Sequence, residues 1–96
     1  MDTPVAVALK WEDWKLAALP ESGQYVSVAK FPEDAESWPR EAWSIVIHLS
    51  QQDSAPRNAT GTARFLMPDA PQARLQSGRT FEMFEGARRA ATVAVL

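Results

Sequence analysis

The chain contains no cysteine, one histidine and only four glycines among 96 residues. Each scarcity removes a class of chemistry. Without cysteine there is neither a disulfide nor a thiolate, which fits a reducing compartment. The glycines stand apart at 23, 61, 78 and 86, so no stretch is Gly-rich enough to wrap a phosphate. A single imidazole, His48, does not supply a structural zinc site, which takes four nitrogen or sulfur ligands. No apolar run approaches the ~18 residues of a membrane span. Residues 1–10 lack the basic start and apolar length of a signal peptide, so a cytoplasmic location is expected. Charge of one sign is also missing. Ten basic and twelve acidic residues give a net charge of −2, which offers no global attraction to nucleic acid or an anionic membrane.

What is present is the composition of an ordinary globular domain. The apolar fraction is 46% and the charged fraction 23%, outside the regime of disordered chains. The length predicts one domain over residues 1–96. A chain of this size buries about 60–65% of its unfolded surface.

The apolar residues recur mainly with a period of two. Residues 4–10 place Val5, Val7 and Leu9 on one face and the small Ala6 and Ala8 on the other. In residues 24–31 both faces carry apolar side chains, Tyr25, Ala29 and Phe31 against Val26 and Val28, and the inward face stays open. Residues 41–50 are the clearest strand. Trp43, Ile45, Ile47 and Leu49 form an unbroken apolar face, which predicts the centre of the core. Residues 60–67 oppose Ala63, Phe65 and Met67 to Thr62, Arg64 and Leu66, and Gly61 suggests a bulge or bend. Polar, Pro-containing loops separate these runs. Five or six short strands so spaced predict an all-β fold, a small antiparallel barrel.

Residues 11–19, WEDWKLAAL, fit either a short helix stopped by Pro20 or a loop with one helical turn. Trp11 and Trp14 have two readings as well. Their rings cap an open barrel end, or with Trp38 they present an aromatic patch to a partner, because tryptophan is enriched at binding hot spots.

Chemistry is sparse. Glu33, Asp34 and Glu36 form a loose acidic group in a loop, at no metal-ligand spacing. Ser44, His48, Ser50 and Asp53 contain the residue types of a hydrolytic triad, but nothing nearby supplies a nucleophile elbow or an oxyanion hole. No catalytic residue, cofactor site or metal site is assigned, and the expectation is a protein that is not an enzyme.

The last third carries a closing hairpin. In residues 79–85 Phe81 and Met83 share one face, and Thr80, Glu82 and Phe84 the other. Gly86 stands where the chain turns, and residues 87–96 return with Val93 and Val95 on one face. Gly78, Phe81, Glu85, Gly86 and Arg88 spell G-x-x-F-x-x-x-E-G-x-R ahead of a small-and-apolar terminal strand. This pattern resembles the end of the C-terminal β-barrel of elongation factor Tu. The family's last strand has glycines where this chain has Ala91 and Val93, and its Gly-Gly-Arg and Gly-Tyr-Arg-Pro segments lack clear counterparts here. The resemblance implies a six-stranded antiparallel barrel. In the family this barrel takes part in binding transfer RNA and a nucleotide-exchange partner. GTP hydrolysis belongs to a separate domain with no counterpart in this chain.

The functional expectation is a free-standing barrel that acts as a non-catalytic interaction module for a protein partner, with Trp11, Trp14, Trp38, Arg88 and Arg89 as candidate contacts. The alternative is RNA binding through the arginines of the last third, Arg74, Arg79, Arg88 and Arg89, joined by Arg57 and Arg64. Against it, the aromatic residues are not interleaved with the basic ones as a stacking platform requires.

Overall fold

The computed structural model describes residues 4–20, 23–34, 38, 42–52 and 57–96. Six strands carry the fold: β1 Val5–Trp11, β2 Gln24–Lys30, β3 Trp43–Gln52, β4 Asn58–Phe65, β5 Thr80–Glu85 and β6 Arg88–Val95. They close into an antiparallel barrel in the order β1-β4-β3-β2-β5-β6, with β6 returning to β1. The described residues form no α-helix. Three 3-10 segments, Asp13–Ala18, Pro32–Asp34 and Gln72–Arg74, lie in the connections. The ambiguous stretch after Trp11 thus extends β1 by one residue and then forms 3-10 turns. Six residues are too few for a stable α-helix, and Pro20 prevents extension.

Period-two alternation sorts the barrel's two surfaces. Val7, Leu9 and Trp11 of β1, Ile45 and Ile47 of β3, Ala63 and Phe65 of β4, Phe81 and Met83 of β5, and Val93 and Val95 of β6 fill the interior. The inward face of β2, ambiguous in the sequence, is Tyr25 and Ala29, continued by Phe31. Phe31 lies between Phe65 and Phe81, with ring centroids 5.9 and 4.8 Å away. Of the four residues expected at the core centre, Ile45 and Ile47 are fully buried, while Trp43 and Leu49 pack against the core's margin.

Besides a register shift between Met83 and Phe84 where β5 pairs with β6, three features depart from simple alternation. Strand β3 runs past Ser50 to Gln52 because a register shift between Leu49 and Gln51 lets it keep pairing with β4. The bulge expected from Gly61 is therefore on the opposite strand, and Gly61 is the residue that permits it. A β-carbon added at Gly61 would lie 2.2 Å from the His48 carbonyl oxygen and 3.1 Å from Leu49 Cα. At the closing turn Gly86 has φ of 65° and is followed by Ala87, whose φ is not positive. That is the pattern of a type II′ two-residue hairpin, whose twist suits the flanking strands. The third difference is Val46. It shares the outward parity of Ser44 and His48 on β3 yet is fully buried, and it is not part of the core cluster.

The barrel's seams are unequal. Strands β5 and β6 pair over six positions, but β2 and β5 pair over only three: Val28 with Phe84, Ala29 with Met83, and Lys30 with Glu82. Beyond Val28 side chains take over. Ser27 Oγ donates to the Phe84 carbonyl, and the Tyr25 hydroxyl donates to Glu85 at 2.5 Å. This short seam shapes both surfaces considered next.

Candidate functional site

Two regions of the barrel carry the sequence candidates: its mouth beside the short seam, and its outer face. At the mouth, the Asp13–Ala18 segment leaves β1 and contacts β6. Trp11 lies inside the barrel, 1% exposed, its ring edge-on to Tyr25 at 5.2 Å. Trp14 is half-buried. Its indole N–H donates to the Arg89 carbonyl at 2.7 Å, and the Arg88 guanidinium covers the ring at 4.2 Å. Both rings thus pack against the barrel itself, Trp11 within the core with no surface left for a partner. Trp38 is also half-buried, its ring tilted 50° to that of Phe84 at 4.6 Å with the Lys30 ammonium over it.

The arginines are engaged locally. Arg89 bonds Glu12 at 2.7 Å and Glu82 at 2.6 Å, Arg57 pairs with Asp13, and Arg79 pairs with Glu33. Arg74 approaches Glu33 at 3.9 Å and lies over the Phe31 ring. Arg88 covers Trp14 rather than pairing with Glu85, whose carboxylate is taken by other groups. These contacts draw the basic side chains of the last third onto the barrel's own surface instead of aligning them as a phosphate track.

Those other groups form a cluster that was not legible in the sequence. Lys15 is 8% exposed, and its ammonium meets Glu85 Oε2 at 2.7 Å, the same oxygen that accepts from Tyr25. Burial works to raise the Glu85 carboxyl's pKa, but hydrogen bonds from Lys15 and Tyr25, together with the Lys15 charge, outweigh it and hold the group below the usual carboxylate range. Burial, then the bond to Glu85, pushes the Tyr25 hydroxyl far above its ordinary value of 10.0. The nearest sequence signal was Glu85 in the hairpin motif; nothing marked Lys15 as buried among the exposed-type residues around it.

These shifts fix the pH response. A carboxyl whose folded pKa lies below its unfolded value stabilises the fold above that unfolded value, 4.5 for Glu85, and the contribution is lost as pH falls through the folded value. Thermal melts of the wild type are expected to fall steeply below about pH 4.5, with a shallower fall for Glu85→Gln. Equal slopes for the two proteins would refute this role. At the alkaline end, unfolded tyrosine ionises near pH 10 while Tyr25 stays neutral, so stability declines above that pH.

Only some of the acidic and triad candidates lie among the described residues. Glu33 is bound by Arg79 and lies below its usual range; the Asp34 side chain, Glu36 and Asp53 fall outside the described residues. His48 is exposed on the outer face opposite Thr62, and Ser50 Oγ donates to the Thr60 carbonyl. Among the described residues no group of acidic or imidazole side chains is placed to hold a metal ion. No helix among them is long and apolar enough to cross a membrane.

The outer face is divided. Over β4, β1 and β6 it is small and hydroxylated, with a shallow groove of about 440 Å³ over Ala8 and Ala94, bordered by Thr60, Thr92 and Lys10. Over β2, β3 and β4 it is mixed, with Val26 and Val28 among Gln24, Ser44, His48, Thr62 and Arg64. Val26 stands directly across from the buried Val46, and Leu66 donates its N–H to Ser44. Val26, Leu66 and Met67 are 45, 47 and 51% exposed. The sequence placed Val26 and Leu66 opposite two different apolar sets but did not show that β3 brings them together.

No family model matches the chain. Neither the curated proteins nor the solved structures yield a match. What the chain displays is thus its own geometry: a closed six-stranded antiparallel barrel.

Proposed function

We propose that this barrel is a non-catalytic binding module for a protein partner, built on the plan of the translation-factor C-terminal barrel. The observation that carries the reading is the exposure of three large apolar side chains, Val26, Leu66 and Met67, each about half in solvent. Large side chains left in water on a strand face mark interaction surfaces when they cluster. The Gly78-to-Arg88 pattern, which forms the β5–β6 hairpin and its approach, supports the barrel type. The cysteine-free composition suits a cytoplasmic setting. RNA is the weaker reading, because Arg88 and Arg89 are occupied by Trp14, Glu12 and Glu82.

The test is retention of cellular protein by the tagged chain, with and without ribonuclease, for the wild type and for Val26→Glu and Leu66→Glu. Both sites are exposed, so the variants are expected to melt close to the wild type. A protein retained in both arms by the wild type should be lost by at least tenfold in each variant. Retention that disappears with ribonuclease, and with Arg88→Glu and Arg89→Glu, would instead establish RNA binding.

A further inference from the structure

Strand β1 leaves the barrel mouth between two arginine-bearing segments. The Trp11 N–H donates to the Arg57 carbonyl just before β4, and the Glu12 N–H donates to the Ala90 carbonyl of β6, each at 2.8 Å. The next four side chains each take a partner on this rim. Glu12 bonds Arg89 at 2.7 Å, and Asp13 pairs with Arg57. Trp14 lies under Arg88 and donates to the Arg89 carbonyl, and Lys15 bonds Glu85. Arginines from two separate stretches of sequence are thus gathered at the mouth, and the consecutive residues Glu12, Asp13 and Trp14 cover them.

The cover is loosely held. Within Asp13–Ala18 the buried residue is Lys15, fixed by its bond to Glu85. Ahead of it the contacts reach solvent: the Asp13 side chain is 80% exposed, Arg57 39% and Arg89 47%. Ion pairs so exposed are weak and screened by salt. Lys15 therefore anchors the segment, while Glu12 and Asp13 are free to leave their arginines with the barrel still closed.

We infer, resting on the protein-partner reading, that Arg57, Arg88 and Arg89 form a recognition rim for an acidic-aromatic segment of that partner. Glu12, Asp13 and Trp14 are its intramolecular stand-in, displaced when the partner binds. The stand-in defines the occupant: carboxylates from adjacent residues for Arg57 and Arg89, and an aromatic face for Arg88. Glu82, bonded to Arg89 at 2.6 Å, keeps that guanidinium in place when Glu12 withdraws. With Arg79 and Arg74 drawn to Glu33, the rim is a compact cluster rather than the track a nucleic acid follows. A tethered occupant competes at an effective concentration of about millimolar, so removing its acids strengthens binding from outside.

The probe is a capped Ala-Glu-Asp-Trp-Ala peptide, with Ala-Gln-Asn-Trp-Ala as its uncharged control. Each is titrated into the full chain and into the double variant Glu12→Gln, Asp13→Asn. The double variant should melt within a few degrees of the wild type. A large fall would show that the segment is part of the barrel's structure rather than a displaceable cover. The acidic peptide should bind the double variant about tenfold more tightly than the wild type, and less tightly as salt is raised. It should also move the indole N–H resonance of Trp14. Equal affinity for the two proteins, or equal binding of the uncharged peptide, would overturn the inference. Arg57→Ala added to the double variant should remove most of the gain; a retained gain would place the peptide elsewhere. An oligouridylate that binds the double variant when the peptide does not would overturn the inference in favour of RNA. If a cellular protein retained by the wild type is retained equally by the double variant and by Arg57→Ala, the rim fails while the interaction reading stands. If no form retains a protein, that reading fails, and the titration still decides whether the rim binds acidic-aromatic chains.

Discussion

Ile47→Asp is expected to abolish the cooperative unfolding transition. Ile47 is fully buried at the middle of β3, in register with Tyr25 on one side and Ala63 on the other. The substitution forfeits the burial of a large aliphatic side chain, about 2 kcal/mol. It also places a carboxylate, or a protonated acid with no partner, among apolar groups, which costs several kcal/mol more. Lys15, the one buried cation among the described residues, is already bound to Glu85 and cannot compensate. The sum reaches the lower part of the ~5–15 kcal/mol by which small domains are stable. Near-UV circular dichroism and a thermal melt decide the matter. A soluble Ile47→Asp protein with a sharp, wild-type-like transition would refute the placement of this residue. Ile47→Val, which keeps the character of the site, should cost only about 0.5–1.5 kcal/mol.

Gly61→Ala is the second large effect, and here the sign is diagnostic. In an ordinary strand interior, replacing glycine by alanine is favourable by roughly 0.5–1 kcal/mol, since glycine loses more freedom on folding. At Gly61 the new methyl would fall 2.2 Å from the His48 carbonyl oxygen and 3.0 Å from its carbon. Both atoms are backbone, held by the β3–β4 ladder beside the bulge, so no side chain can swing aside. Relief requires the two strands to separate, and overpacking of this kind costs about 3 kcal/mol. For a domain of this size that is a fall in Tm of roughly 12–24 °C. A melt at or above the wild-type temperature would show that β3 and β4 are not so closely apposed. Gly23, where an added β-carbon meets only the Leu49 carbonyl oxygen at 3.5 Å, is a useful contrast; Gly23→Ala should shift Tm little.

The two predictions also show which inferences were within reach of the sequence. Ile47 was legible because Trp43, Ile45, Ile47 and Leu49 alternate without interruption, and a half-buried strand has no other way to hide them. Gly61 was legible only as an irregularity. Which strand bulges depends on which backbone passes close by, and that neighbour, His48, is 13 residues away in the chain. The tryptophans divide in the same way. Their number and spacing stood out in the sequence, but Trp11 faces the core because it ends β1, whereas Trp14 lies under Arg88 because the chain has left the strand.

The arginines of the last third are a further case. Clustering in sequence suggested a shared surface, yet each has its own destination: Arg79 to Glu33, Arg88 to Trp14 and Arg89 to Glu12 and Glu82. Ion pairs of this exposed kind contribute little to stability individually. Their consequence is to occupy donors that a nucleic acid would otherwise need.

By itself the sequence determined the strand content, the inward faces of β1, β3, β5 and β6, the hairpin turn at Gly86 and the absence of a recognisable catalytic motif. All of these follow from local rules: side chains alternate every two residues, glycine tolerates positive φ, and chemistry requires particular residue types. Only the tertiary structure decided that β2 faces inward through Tyr25, that Lys15 is buried against Glu85, that Val26 and Leu66 share an outer face, and that β2 pairs with β5 at Val28, Ala29 and Lys30. Those outcomes depend on which distant segments become neighbours once the barrel closes. A residue's period along its own strand does not carry that information, because closure is set jointly by the lengths and registers of all six strands.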